Sequence, residues 1–119
     1  MSAAKPDPRS FLPLTPLVFQ VLLAIADEPR HGYGIIREVE ERTDGLLRLR
    51  TGTLYTLLQR LLEQDLITES DDRPAPEHDD ERRRYYTVNT FGRAVMKAEA
   101  TRLQSLVGEA RRKKVLGRA

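Results

Sequence analysis

The chain has 119 residues, no cysteine and a formal net charge of +2. This length fits one domain, and the lack of cysteine excludes disulfides and zinc sites built on thiolates. No apolar run is long enough to span a bilayer, and the N-terminus lacks the basic and hydrophobic segments of a secretory signal. We therefore expect a soluble cytoplasmic protein with no membrane partner.

The charge is unevenly divided along the sequence. Residues 69–81 contain seven acidic residues and one arginine, a local net charge of −6, so the rest of the chain carries +8. A basic body of this size is typical of a nucleic-acid-binding protein, although an ordinary soluble surface can also produce it. Charge alone leaves DNA as one candidate partner.

Two helices are predicted before residue 45. Thr15 followed by Pro16 is typical of a helix start, and this helix should run to about Asp27. It is apolar nearly all round, so most of its sides must be covered. The segment HGYGIIREVEERT, at 31–43, has the apolar spacing of an amphipathic second helix, and His31 is expected to cap it or to pack beside it.

The third predicted helix lies in TGTLYTLLQRLLEQDLI, at 51–67, where leucines recur at positions 54, 57, 58, 61 and 62. This spacing is that of one buried helical face, with Thr51 as the expected N-cap. The opposite face carries threonine, glutamine and arginine, which can read base edges. Before it, the alternating LLRLR at 46–50 predicts a short extended segment.

A β-hairpin and a long fourth helix are predicted in the remaining sequence. Segments 66–69 and 82–88 read as strands joined by an acidic, proline-containing tip, with Tyr86 and Val88 as core candidates. Asn89 is the expected cap of a helix that continues past residue 106. Because this helix extends beyond a small domain, its simplest partner is the same helix of a second subunit.

The order of helix, helix, short strand, helix, hairpin and long helix is that of a winged helix-turn-helix, a mainly α fold with a small β-hairpin wing (α+β). With HGYGI at 31–35, TGTLYTLLQRLLEQDLI at 51–67 and RRRYYTVNTFGR at 82–93, the sequence resembles the PadR family of bacterial transcriptional regulators. The sequence differs from the family pattern in three features: Thr56 replaces a common proline, the hairpin tip is long and acidic, and the last helix lacks tryptophan.

The resemblance implies a homodimer that represses transcription from a pseudo-palindromic operator and is released when an effector binds. The sequence leaves open both whether a small molecule has this role and which one it is. The expected organisation is a disordered tail at 1–11, a DNA-binding domain at 12–89, a dimerisation helix at 90–114 and a frayed tail at 115–119. The family's long helix contacts both its mate and the first helix, so the dimer contacts should be apolar residues of these helices. They are Leu17, Phe19, Leu23, Val95, Ala98, Leu103, Leu106, Val107 and Ala110.

The candidate DNA contacts lie at the start of the second helix, before and along the third helix, and on the second hairpin strand. They are Tyr33, Arg48, Arg50, Thr51, Thr53, Tyr55, Thr56, Gln59, Arg60, Arg82, Arg83, Arg84 and Tyr85. Three consecutive arginines favour phosphate contact unless the adjacent acids neutralise them. For Gln59 and Arg60 two alternatives stay open: they contact bases directly, or they are ordinary exposed residues of a helix surface.

Other functions find less support in the sequence. His78 with Asp79 and Asp80 has ligand-type side chains, but neighbouring residues in one loop seldom close a coordination shell, so we expect no metal or cofactor. No nucleophile and base lie at a recognisable spacing, so an enzyme is not predicted. The alternative is a winged-helix module that binds a partner protein through its first and fourth helices, without specific DNA binding.

Overall fold

The computed structural model describes residues 5–71 and 83–117. In chain order, these residues form α1 (Pro16–Ala24), β1 (Arg30–His31), α2 (Gly32–Arg42), α3 (Thr51–Glu63), β2 (Ile67–Ser70), β3 (Tyr85–Val88) and α4 (Thr90–Arg112). The three strands make an antiparallel sheet in the order β1-β3-β2. The predicted α+β winged-helix architecture is confirmed.

A single apolar core joins α1, α2, α3, the sheet and the first half of α4. Leu54, Leu58 and Leu61 of α3 are buried in it, whereas the other two leucines of the predicted stripe are partly buried at its edge. Tyr86 and Val88 are also buried, as predicted. The core therefore holds α3 by one face and leaves the opposite face in solvent.

Helix starts follow the predicted capping residues in three cases out of four among the described residues. The side chains of Thr15, His31 and Asn89 each accept a hydrogen bond from the backbone N–H three residues further on, at 3.2, 3.1 and 2.7 Å. The prediction for Thr51 was wrong. The cap of α3 is Arg50, which makes no side-chain capping bond, and Thr51 is the first helical residue.

The predicted short strand at 46–50 was also wrong: these residues form a loop, and the strand that precedes the hairpin is Arg30–His31, between α1 and α2. It pairs with Tyr86 and Tyr85 of β3. The alternation at 46–50 has another cause: Leu49 is buried in a loop while the arginines on either side of it are exposed. Alternating burial in a loop therefore imitated the pattern of a strand.

The N-terminal segment, expected to be disordered over residues 1–11, is ordered where the structure describes it. Pro8–Phe11 form a 3-10 helix capped by Asp7, and the Phe11 ring lies edge-on to Phe91 of α4 at 5.6 Å. Lys5 bonds Asp65 at 2.5 Å. Pro8 starts this helical turn, and the Phe11 ring anchors the turn on α4.

The residues after 114, for which fraying is expected, lie in a hydrogen-bonded turn as far as the structure describes them, up to residue 117. The backbone N–H groups of Val115 and Leu116 donate to the carbonyl of Ala110 at 2.8 and 3.2 Å. Lys114 takes a positive φ of 64°, as is usual where a helix closes with a left-handed residue. The helix therefore ends in a closed turn.

A buried carboxylate of α4, Glu99, pairs with Arg102 of the same helix and accepts a hydrogen bond from the segment before α1. Glu99 is 2% exposed and receives two hydrogen bonds from the guanidinium of Arg102, at 2.8 and 2.7 Å. These bonds lower the pKa of Glu99 from 4.5, burial opposes them, and a hydrogen bond from the backbone of Leu14 lowers it further. The charged carboxylate is therefore the form that the folded state stabilises.

We expect Glu99→Gln to lower the free energy of unfolding at pH 7 by about 1–2 kcal/mol, because a charge-assisted pair is replaced by a neutral bond. The folded-state pKa lies below 4.5. The contribution of the Glu99–Arg102 pair to the free energy of unfolding should therefore be complete above pH 4.5, and it should be lost as the pH falls through the folded-state pKa of Glu99. Urea unfolding between pH 7 and pH 3 should thus show a flatter acid dependence in the variant.

Glu109→Gln is the matched control for this prediction. Glu109 pairs with Arg112 at the same i,i+3 spacing on the same helix, but both side chains are largely exposed. An exposed pair contributes little to stability, so this variant should unfold like the wild type. Equal losses in the two variants would contradict a special role for Glu99.

Candidate nucleic-acid interface

The solvent face of α3 carries the polar residues that the sequence singled out. Thr53, Tyr55, Thr56, Gln59 and Arg60 are all exposed, while the leucines between them are buried or partly buried. Thr51 is exposed in the first turn of the same helix. One side of α3 is thus fixed in the core, and the other side presents hydroxyl, amide and guanidinium groups to solvent.

This exposed face divides into two stripes. Thr53, Thr56 and Arg60 border a groove, whereas Tyr55 leans towards the start of α2, with Gln59 one turn further on the same side. The sequence pattern treated these five residues as one surface. The structure brings them onto one helix but gives the two stripes different neighbours.

The groove lies between α3 and the segment that leads into α1, and its volume is about 760 Å³. Phe11, Pro13, Leu14, Leu17 and Val18 form one wall, and the α3 residues with Leu66 form the other. Sequence reasoning missed this groove because its first wall lies partly in residues that were expected to be disordered or simple helix start. The apolar spacing of FLPL at 11–14 was the available signal.

Two basic residues flank the start of α3. Arg48 and Arg50 are exposed, and buried Leu49 between them fixes the loop to the core. Because successive side chains of this loop alternate between core and solvent, both guanidinium groups are directed away from the core. They lie immediately before the helix with the polar face, as the sequence predicted.

The base of the hairpin meets the start of α2 at His31. The His31 ring is stacked beside the Tyr33 ring, with 6.5 Å between the ring centroids. Arg83 Nη1 lies 3.3 Å from His31 Nε2. Tyr33 itself is 63% exposed. Arg84, just before β3, donates from Nη1 to Glu69 Oε1 on the outer strand β2 at 3.3 Å. Arg83 and Arg84 are exposed but have contacts within the chain.

The placement of Tyr85 among the DNA contacts requires correction. Its side chain is only 6% exposed and packs edge-on against the His31 ring, with 5.3 Å between the ring centroids. The alternation along β3 predicted that Tyr85 would face outward because Tyr86 and Val88 face the core. Since β3 is the central strand and His31 covers its second face, both tyrosines are buried. Arg82 lies outside the described residues.

The apolar surface of α4 also differs from the predicted set. Val95 is completely buried in the core of its own chain, so it is not available for contact with a second subunit. Leu106 and Val107 are 55% and 39% exposed, and Leu103 and Ala110 are intermediate. Leu17, Phe19, Leu23 and Ala98 are partly buried. An apolar stripe therefore remains on the distal half of α4.

Residues 5–71 and 83–117 contain neither a cluster of metal ligands nor a membrane-spanning helix. No group of three or more histidine, cysteine, aspartate or glutamate residues there could hold a metal ion. Within the same ranges, no helix combines the length and apolarity needed to cross a membrane. The candidate metal ligands His78, Asp79 and Asp80 lie outside the described residues.

The sequence of this winged helix matches a known family. The model of the transcriptional regulator PadR-like family matches residues 21–98, which run from within α1 to the first half of α4. The chain belongs to the PadR-like family of transcriptional regulators. The matched region of this PadR-like chain contains α2, the exposed face of α3 and the hairpin strands, so it includes every predicted DNA contact.

Solved structures share the PadR-like fold. The structure of the hsRosR-S4 complex is 26% identical in sequence, with a TM-score of 0.64 and coverage of 92% of this chain and 90% of that one. A PadR-like transcription factor from Bacteroides fragilis is also 26% identical, with a TM-score of 0.59 and coverage of 78% of this chain and 87% of that one.

A relative was also matched by sequence. This Lysinibacillus sphaericus protein, named only as uncharacterized, is 29% identical over 76 residues, which are 64% of this chain and 67% of its own length.

Proposed function

We propose that this PadR-like protein is a sequence-specific DNA-binding regulator that acts in the cytoplasm as a homodimeric repressor. The observation that supports this best is the α3 surface, where five exposed polar residues follow two exposed arginines. Hydroxyl, amide and guanidinium groups on one helix are suited to the donor and acceptor pattern of the major groove. In this proposal α3 enters the groove, and Tyr33, Arg48, Arg50, Arg83 and Arg84 contact the phosphates.

The dimer in this proposal is built on α4. Its distal half has few contacts within the described part of the chain, yet carries an apolar stripe at positions 103, 106, 107 and 110. A second copy would cover this stripe and set two α3 helices against one duplex. A symmetric dimer reads a pseudo-palindromic site, with half-sites about 34 Å apart. A small-molecule effector that releases DNA would act by changing this spacing.

The proposed function is tested by measuring affinity for DNA at several salt concentrations. An operator fragment is selected from random duplexes, and binding is followed by fluorescence anisotropy. Because phosphate contacts release counterions, the logarithm of the affinity should fall linearly with that of the salt concentration, by about 0.9 per phosphate contact. Selection of no preferred sequence, or affinity independent of salt, would contradict the proposal.

A further inference from the structure

The phenol of Tyr55, on α3, lies against the first residue of α2. A Cβ atom placed on Gly32 would be 2.5 Å from the Tyr55 hydroxyl oxygen and 2.9 Å from Cζ. Non-bonded atoms do not approach so closely, so residue 32 can carry no side chain while Tyr55 keeps its position. The absence of a side chain at Gly32 thus lets the two helices meet at this point.

A third element reaches the same place. Tyr86 of β3 is buried, and burial raises its pKa, with further contributions from the nearby Glu69 carboxylate and from Tyr55. The two residues before Gly32, Arg30 and His31, pair with Tyr86 and Tyr85 of β3, so the contact of Tyr55 with Gly32 adjoins the base of the hairpin. Tyr55 lies where α3, the start of α2 and the base of the hairpin come together.

We propose that Tyr55 is a positioning residue, whose phenol, seated on Gly32, fixes α3 relative to α2 and the hairpin. This inference rests on the proposed DNA-binding function. In a winged helix, the recognition helix and the flanking phosphate contacts must engage the duplex in one register. A change in the angle of α3 would misplace Gln59 and Arg60 relative to Tyr33 and Arg83 without removing any of them.

A simple phosphate contact by Tyr55 is the competing explanation, since 47% of its side chain is exposed. Gly32 distinguishes the two roles because it is buried and has no side chain with which to touch DNA. Any effect of a methyl group at position 32 on DNA binding must therefore pass through its neighbours. The nearest of these is Tyr55, followed by Leu54 at 3.4 Å.

The test is Gly32→Ala, measured on the selected operator and on unrelated duplex DNA. We expect operator affinity to fall about tenfold, as for the loss of one good base contact, with little change on unrelated DNA. In a Tyr55→Leu background, where hydroxyl and ring are absent, Gly32→Ala should have no further effect. Gly34→Ala is the matched control, because a Cβ there would meet nothing closer than 3.6 Å.

The outcomes separate this inference from the proposed function. Failure of the wild type to bind any selected operator would overturn the proposed function. Operator binding by the wild type with equal affinities for Gly32→Ala and Gly34→Ala would overturn the positioning role alone. An equal loss from Gly32→Ala in the Tyr55→Leu background would do the same.

Tyr55→Phe provides a second measurement should Gly32→Ala not fold. This variant keeps the ring and removes only the hydroxyl group that lies on Gly32. A positioning role predicts a lower ratio of operator to unrelated-DNA affinity with an unchanged salt slope. An unchanged ratio of operator to unrelated-DNA affinity would overturn the proposal. So would a reduction of about one in the slope of log affinity against log salt concentration, because that reduction indicates a lost phosphate contact.

Discussion

Replacement of Gln59 and Arg60 by alanine together should lower operator affinity by about 100-fold or more, since each good base contact contributes about 1–3 kcal/mol. Both side chains are exposed on α3, so their removal opens no cavity in the core. The variant should therefore unfold at the wild-type temperature and elute at the wild-type volume in size-exclusion chromatography. Anisotropy titration on the selected operator measures the loss.

The matched control replaces Gln104 and Arg111, which are exposed on α4, by alanine. This pair has the same residue types and the same change in charge, but does not lie on α3. Its operator affinity should change only slightly. A similar loss in both variants would mean that net charge, rather than contact through α3, governs binding. Unchanged DNA binding in the α3 variant, with loss of a protein partner, would support the interaction-module alternative.

The two single variants carry further information, because the structure gives the two residues different surroundings. Arg60 borders the groove next to α1, whereas Gln59 lies on the side of Tyr55. If α3 enters the major groove with its face centred between the two stripes, each single variant should lose affinity. A loss confined to Gln59→Ala would indicate that the Tyr55 stripe faces the bases.

Local signals explain what could be predicted from the sequence. The starts of α1, α2 and α4 depend on a side-chain oxygen or nitrogen only three residues from its partner, so Thr15, His31 and Asn89 could be recognised. The leucine period of α3 likewise reflects one face of one helix. The structural features that could be predicted, the helix caps and the buried face of α3, thus depend on residues no more than four positions apart in the chain.

The features that were missed depend on residues far apart in the sequence. β1 has only two residues and exists because it pairs with β3, more than fifty residues later. The same pairing buries Tyr85, which local alternation had placed in solvent. The contact of Tyr55 with Gly32 and the anchoring of Phe11 on Phe91 are likewise tertiary. Periodicity within one segment carries no information about such neighbours.

Leu106→Asp should convert the protein into a monomer and lower its affinity for a full operator by more than about 100-fold. Leu106 lies in the exposed apolar stripe of α4, and a buried carboxylate at a subunit contact would have no partner. A monomer binds each half-site independently and loses the gain of about 10²–10⁴ that linkage of two binding events can supply. Light scattering gives the mass, and anisotropy gives the affinity.

A DNA fragment with a single half-site separates loss of the dimer from loss of the fold. The Leu106→Asp variant should bind this fragment as tightly as the wild type does, because α3 and the core lie away from position 106. Ser105→Asp introduces the same charge one residue earlier, on the side of α4 opposite the stripe, and should remain dimeric.

If Leu106→Asp stays dimeric, subunit contact must lie elsewhere, and the apolar groove beside α1 becomes the next surface to mutate. If it becomes monomeric yet keeps full operator affinity, a single copy of α3 with its wing is sufficient for recognition, and the pseudo-palindromic operator in our proposal is wrong.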